Sequence, residues 1–126
     1  MKQIQASNSL PVLQVLQNSF LHHLYKLIEE NLGVSPLNVD FLANQMAVSR
    51  STLNRKLSIL TGKSAHKLIK DQRLERAKEL LNSGKNVSET AYLSGFETPS
   101  YFIQCFKEVY KITPKEYSKI NLNCSF

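Results

Sequence analysis

The sequence has few cysteines and no long hydrophobic run. Its two cysteines, Cys105 and Cys124, lie far apart and outside any Cys-x-x-Cys pair, which predicts reduced thiols rather than a disulfide scaffold. No uninterrupted apolar run approaches the roughly 18 residues of a membrane span, and no signal-peptide pattern opens the chain. We therefore expect a cytoplasmic protein that makes no membrane contact through this region.

The sequence also lacks the short motifs of the main enzyme classes. It contains no Gly-x-Ser-x-Gly elbow, no Walker phosphate loop, no His-Glu-x-x-His zinc motif and no paired carboxylates in a catalytic arrangement. His22 and His23 are adjacent, and neighbouring residues on a helix point about 100° apart, so they are not predicted to ligate one metal ion. The sequence therefore predicts a protein that is not an enzyme and that needs neither a cofactor nor a metal.

Positive charge is present in excess and is unevenly distributed. The 126 residues include 16 Lys and Arg against 10 Asp and Glu, which gives a net charge of +6. Residues 1–49 hold only two of these cations, whereas residues 50–70 hold six cations and no acid. A run of like charge is often only a solvated face, but it also suits a polyanionic partner such as nucleic acid.

Hydrophobic periodicity predicts an all-α fold, because apolar residues recur every three or four positions and no segment alternates like a strand. Side chains that cap helix N-termini precede most of the periodic segments, and glycines follow several of them. The length is that of a single domain. The predicted helices cover residues 11–32, 38–46, 49–62, 64–84, 86–95, 98–111 and 113–120.

Two stretches repeat one plan, in which a short helix, a tight turn and a longer helix follow one another. This is the helix-turn-helix unit, whose second helix enters the DNA major groove with its N-terminal end first. The first unit is predicted at about 38–62 and the second at about 86–111, with a linker helix at about 65–82. In the second unit Gly95 is predicted to form the turn, and the aromatic side chains are predicted to fill the core (Phe96, Tyr101, Phe102 and Phe106).

The helix after Ser49 carries side chains suited to reading base edges. Arginine can pair with guanine and asparagine with adenine, so Asn54 and Arg55 are the leading candidates. An alternative is a helical protein–protein interaction module with an incidental basic face. The helix at 11–32 favours that alternative, because no charged residue occurs from Gln3 to Tyr25.

The second unit also carries a specific set of residues at fixed spacing. They are Ala91, Gly95-Phe96, Ser100-Tyr101-Phe102, Phe106-Lys107 and Thr113-Pro114-x-x-Tyr117, preceded in the linker helix by Arg73-Leu74-x-x-Ala77. Over about residues 18–121 the sequence resembles the DNA-binding domain of the AraC/XylS family of bacterial transcription regulators.

This resemblance implies two homeodomain-like helix-turn-helix subdomains whose recognition helices occupy successive major grooves of double-stranded DNA. Two departures from the family pattern are Gln104, where a basic residue is common, and Lys111, where a glycine is common. The implied DNA contacts are Ser49, Arg50, Ser51, Asn54, Arg55 and Lys56 in the first unit, and Thr98, Pro99, Ser100, Ile103, Gln104 and Lys107 in the second.

The resemblance also has implications for partners beyond DNA. Regulators of this family usually join this domain to a separate sensor or signalling domain, so a partner domain is expected N-terminal to this region. Residues 1–17 would then form a partly helical linker, and residues 122–126 a C-terminal tail. The N-terminal helix is similar to that of output domains that end hybrid two-component sensors. We expect the isolated domain to be a monomer.

Overall fold

The computed structural model describes residues 12–33 and 37–124, with side chains over 18–33 and 37–120. These residues form seven α-helices and no strand, which confirms the predicted all-α class. The predicted helix start at Pro11, residues 1–11 of the predicted linker and residues 125–126 of the predicted tail lie outside the described residues, whereas residues 122–124 of that tail are helical. The helices are α1 Val12–Asn31, α2 Val39–Gln45, α3 Arg50–Thr61, α4 Ala65–Asn82, α5 Val87–Leu93, α6 Pro99–Tyr110 and α7 Pro114–Cys124.

Side-chain caps set the starts of the helices after α1, as the sequence predicts. A side-chain oxygen of the N-cap residue accepts a hydrogen bond from a backbone N–H three residues later, which satisfies a donor that the helix leaves unpaired. The α5 cap is a full capping box, in which Glu89 accepts in return from the backbone of Asn86. The N-caps of α2 to α6 are Asn38, Ser49, Ser64, Asn86 and Thr98.

The described residues bury two separate hydrophobic cores, one in each helix-turn-helix unit. The first core joins α1, α2 and α3 to the beginning of α4, and the second joins the end of α4 to α5 and α6. Leu24, Ile28, Leu42, Leu53, Leu57, Leu68 and Ile69 belong to the first core, and Leu74, Ala77, Leu81, Ala91, Phe96, Phe102 and Phe106 to the second.

Helix α4 contributes to the two cores from roughly opposite faces. Its N-terminal half buries Leu68 and Ile69, whereas its C-terminal half buries Leu74, Ala77 and Leu81. At about 100° per residue these two sets point on average more than 150° apart around the helix axis. The helix therefore belongs equally to both units and holds them together.

The two helix-turn-helix turns share one backbone geometry. In the first, the Val48 N–H donates to the Ala43 carbonyl at 3.0 Å, and in the second the Phe96 N–H donates to the Ala91 carbonyl at 2.9 Å. The turn residue before each donor has a left-handed φ, 59° at Ala47 and 97° at Gly95. The predicted role of Gly95 in the turn is confirmed, as is the burial of Phe96.

Two local predictions differ from the structure. Tyr101 is 43% exposed rather than part of the core, because it lies at the start of α6 and only one edge of its ring meets Phe96, at a centroid distance of 6.0 Å. The last helix continues beyond Ile120 to Cys124. Lys111 ends α6 with a φ of 70°, so this lysine adopts the left-handed conformation that a glycine would adopt more easily.

Candidate nucleic-acid interface

The outward face of α3 is a short polar row opposite the buried Leu53 and Leu57. Ser51, Arg55 and Ser58 are all exposed, and their spacing of four and then three residues places them on one side of the helix. The sequence predicts Ser51 and Arg55 for this face but does not predict Ser58. A count of helical positions from the cap at Ser49 would have found it.

The outward face of α6 repeats this row at the same distance from its own cap. Ser100, Gln104 and Lys107 are exposed, and they lie opposite the buried Phe102 and Phe106. Ile103 is at the margin of the face with 36% of its surface exposed. We call these two sets the α3 row (Ser51, Arg55 and Ser58) and the α6 row (Ser100, Gln104 and Lys107). The structure thus aligns the rows of the two units position by position.

Asn54 lies beside the α3 row rather than within it. Its Oδ1 accepts a hydrogen bond of 2.9 Å from the Ala65 N–H at the first turn of α4, and the side chain is only partly exposed. A paired contact with adenine needs both the oxygen and the amide nitrogen of an asparagine. The Asn54 oxygen thus joins α3 to α4 in this structure, and the predicted contact of Asn54 with DNA stays a prediction.

Two predicted cations of α3 have protein partners on the flanks of the helix. Arg50 Nε lies 3.2 Å from the Asp40 carboxylate of α2, and both side chains remain mostly exposed. Lys56 Nζ lies 5.0 Å above the Phe20 ring of α1, a cation–π distance. Of the three α3 cations that are predicted to contact DNA, Arg55 lies in the centre of the row, between Ser51 and Ser58.

The capping residues of α3 and α6 form hydrogen bonds within the protein. The Ser49 hydroxyl oxygen accepts from the Thr52 N–H, and the Thr98 hydroxyl oxygen accepts from the Tyr101 N–H, each at 3.1 Å. Pro99 follows Thr98 at the first helical position, where a missing N–H has no cost. These predicted site residues thus fix the N-terminal ends of the rows.

Part of the positive charge of residues 50–70 is balanced by an acid just beyond this stretch. Lys63 and Lys67 each place Nζ 2.9 Å from the Asp71 carboxylate. Burial alone would raise the pKa of Asp71, but hydrogen bonds and charges from Lys67 and Lys63 outweigh it and hold the pKa below its usual value. The hydrogen bond with Asp71 raises the pKa of Lys63. The two ion pairs therefore hold Lys63 and Lys67 together around Asp71.

The described residues contain neither a metal-binding cluster nor a membrane-spanning helix. Within them, no group of three or more His, Cys, Asp or Glu side chains comes together as a metal site. Among the helices of these same residues, none is both long enough and apolar enough to cross a membrane.

Comparison with known proteins gives both family and structural matches. A family model described as a helix-turn-helix domain matches residues 42–120. The chain is 32% identical over 103 residues to Histidine kinase P4 of Formosa agariphila, a match that covers 81% of this chain and 8% of the kinase. More generally, the chain spans between 8% and 59% of the length of several curated relatives that it matches.

Two solved structures share the fold over most of the chain. An AraC-type DNA-binding domain regulator from Chromobacterium violaceum superimposes with a TM-score of 0.78 at 27% identity, covering 86% of this chain and 96% of that one. The DNA-binding domain of the global transcriptional factor AdpA, solved in complex with a target DNA, gives a TM-score of 0.73 at 27% identity. That match covers 79% of this chain and 90% of the AdpA chain.

Proposed function

The chain belongs to the AraC-type family of helix-turn-helix transcription regulators, and we propose that it reads a specific DNA sequence with α3 and α6 in successive major grooves. The observation that carries this proposal is the register of the two rows. Ser51, Arg55 and Ser58 occupy the same positions after their cap as Ser100, Gln104 and Lys107 do after theirs. Two equivalent exposed faces suit two equivalent grooves. The similarity to the AdpA domain, which was solved with DNA, supports the same reading.

The side chains of the two rows support different base contacts for the two units. Arg55 can donate two hydrogen bonds to the edge of a guanine, and Gln104 can make a paired contact with adenine. Ile103, at the margin of the α6 row, can pack on a thymine methyl group. We infer that Arg55 makes the strongest base contact and that Asn54 mainly holds α3 against α4.

Measuring the affinity for duplex DNA at several salt concentrations tests DNA binding itself. Roughly four to eight phosphate contacts should give a slope of log affinity against log salt between about −4 and −7, because bound cations release condensed counterions. Lys26→Gln removes an exposed cation of α1 outside both rows and serves as the control that keeps this slope. A slope near zero would contradict DNA binding and favour the protein-interaction module.

Two single substitutions test which row discriminates bases more strongly. Arg55→Ala should weaken binding by about 1–3 kcal/mol and relax the preference at one base pair. Gln104→Ala should cost less and should act on the other half of the site. Binding to a panel of single-base variants, around a site selected from random DNA, measures both effects. Loss of selectivity in Gln104→Ala with full selectivity in Arg55→Ala would show that the second unit is the main reader.

We also propose that this domain is the output part of a larger signalling regulator. The similarity to a histidine kinase, in which the matching segment is a small fraction of the protein, supports this proposal. If the isolated 126-residue chain is a monomer, fusing a dimeric coiled coil to its N-terminus should raise its affinity for DNA with two copies of the site, because the second domain binds at high effective concentration. If the fused dimer shows no gain in DNA affinity at any spacing between the two site copies, the proposal of an upstream dimerising domain is contradicted.

A further inference from the structure

An open cleft of about 530 Å³ lies between the two helix-turn-helix units, and no residue of either row lines it. Leu37 and Asn38 line it from the first unit, and Phe96 and Tyr101 line it from the second. Helix α4 forms its floor with Arg73 and His66. The volume falls within the range of pockets that hold small molecules. A molecule bound there would contact both units at once.

The guanidinium of Arg73 supplies the positive charge of this cleft, and its donors are only partly used. Its Nη2 donates to the Leu37 carbonyl at 3.3 Å, while Nε is buried without a hydrogen-bond partner among the described residues. None of the ion pairs between described residues involves this arginine. Burial lowers the pKa of Arg73, but the group stays charged at neutral pH. A buried cation with unpaired donors is stabilised by an anionic oxygen.

Aromatic side chains line part of the cleft beside Arg73, together with the polar side chains of Asn38 and His66 and the carboxylate of Glu97. Tyr92 is 57% exposed and Tyr101 43% exposed, and Phe96 packs behind Tyr101. We propose that the cleft binds a small carboxylic acid with an aromatic or apolar body. The carboxylate would pair with the Arg73 guanidinium, and the body would lie against the two tyrosine rings. This site goes beyond DNA binding, since neither row takes part in it.

Glu97 lines the same cleft from the turn before α6 and carries the opposing charge. Its exposed carboxylate interacts with Arg73 through space but forms no ion pair with it among the described contacts. A bound acid would therefore meet like-charge repulsion from Glu97. Replacing Glu97 by glutamine should tighten the binding of the acid, and this gain does not depend on any loss of folding.

The test uses the 126-residue chain labelled with ¹⁵N, together with 3-phenylpropionate and its uncharged amide as probes. Probes of this size bind with a dissociation constant of about 1 mM or weaker. 3-Phenylpropionate should shift the Arg73 Nε–H resonance in a saturable way, and 3-phenylpropionamide should not. An equal response to the acid and the amide, or no saturable shift with the acid, would overturn the proposal.

Three variants complete the experiment. Glu97→Gln should bind 3-phenylpropionate about threefold more tightly, because a nearby like charge is removed. Arg73→Met should lose binding, with a preserved amide spectrum as the check on folding. Arg76→Gln is the matched control, because Arg76 lies on the same helix but pairs with Glu79 outside this cleft. The assignment of a carboxylate site at Arg73 would be contradicted if Arg76→Gln bound 3-phenylpropionate more weakly than Arg73→Met does. It would also be contradicted if Glu97→Gln showed no gain in affinity for 3-phenylpropionate.

Discussion

Glycine is required at only one of the two equivalent turn positions. A β-carbon built at Gly95 would lie 2.2 Å from the Leu32 carbonyl oxygen and 2.7 Å from Arg73 Nε. Ala47 has the same left-handed backbone in the first turn, but its side chain is exposed to solvent. The requirement at Gly95 therefore arises mainly from the first unit, which packs against the second turn.

Exchanging the residue types at these two positions should have opposite effects on stability. Gly95→Ala should lower the free energy of unfolding by about 3 kcal/mol or more, because backbone must move as well as adopt a strained φ. Ala47→Gly should raise it by about 0.5–1 kcal/mol, because relief of left-handed strain exceeds the added chain entropy. Urea denaturation of both variants measures the difference. Equal losses at the two positions would contradict the role of the Leu32 contact.

At the scale of the helices, the residue at which a helix begins is determined by the side chain that caps its N-terminus. Thr113 and Glu116 form a reciprocal pair at the start of α7: the Thr113 hydroxyl oxygen accepts from the Glu116 N–H at 3.1 Å, and Glu116 Oε1 accepts from the Thr113 N–H at 2.8 Å. The hydrogen bonds from the Thr113 backbone and side chain lower the pKa of Glu116. Together these two hydrogen bonds form a capping box.

Removing this cap should cost about 1 kcal/mol. Thr113→Ala loses the acceptor for the Glu116 N–H, whereas Thr113→Ser keeps a hydroxyl at the same place and should remain within a few tenths of wild type. Thermal or chemical unfolding of the two variants gives the comparison. If serine and alanine destabilise the chain equally, then the hydroxyl does not cap α7.

The sequence predicts the helix order and the caps because each depends on residues close together in the chain. It does not predict that Asn54 bonds to Ala65, since that contact depends on how α3 meets α4. The same holds for α4, whose buried face changes sides halfway along. A periodicity count assumes one buried stripe per helix, and only tertiary packing shows two. The sequence also does not predict the cleft around Arg73, because the cleft forms only where the two units pack together.

At the scale of the molecule, the two cores should respond separately to cavities. Leu57 and Leu74 are both fully buried, one in each core. Leu57→Ala and Leu74→Ala should each cost about 2–5 kcal/mol. Hydrogen exchange should show the largest loss of protection in α2 and α3 for the first, and in α5 and α6 for the second. A uniform loss of protection across the chain in both variants would show that the two cores unfold as a single cooperative unit.

The change of face within α4 has a consequence for how such domains can be recombined. A crossover placed between Ile69 and Leu74 leaves the side chains of each core on one parent sequence, because neither core takes residues from both halves of the helix. The contacts between the two units, among them those of Leu32 and Arg73 with Gly95, of Leu37 with Arg73 and of Gly33 with Leu93, would need to be matched between the parents. Hybrids made at this point should therefore keep α3 and α6 each packed on the core of its own parent. One half of the proposed DNA site could then be exchanged without redesigning the other.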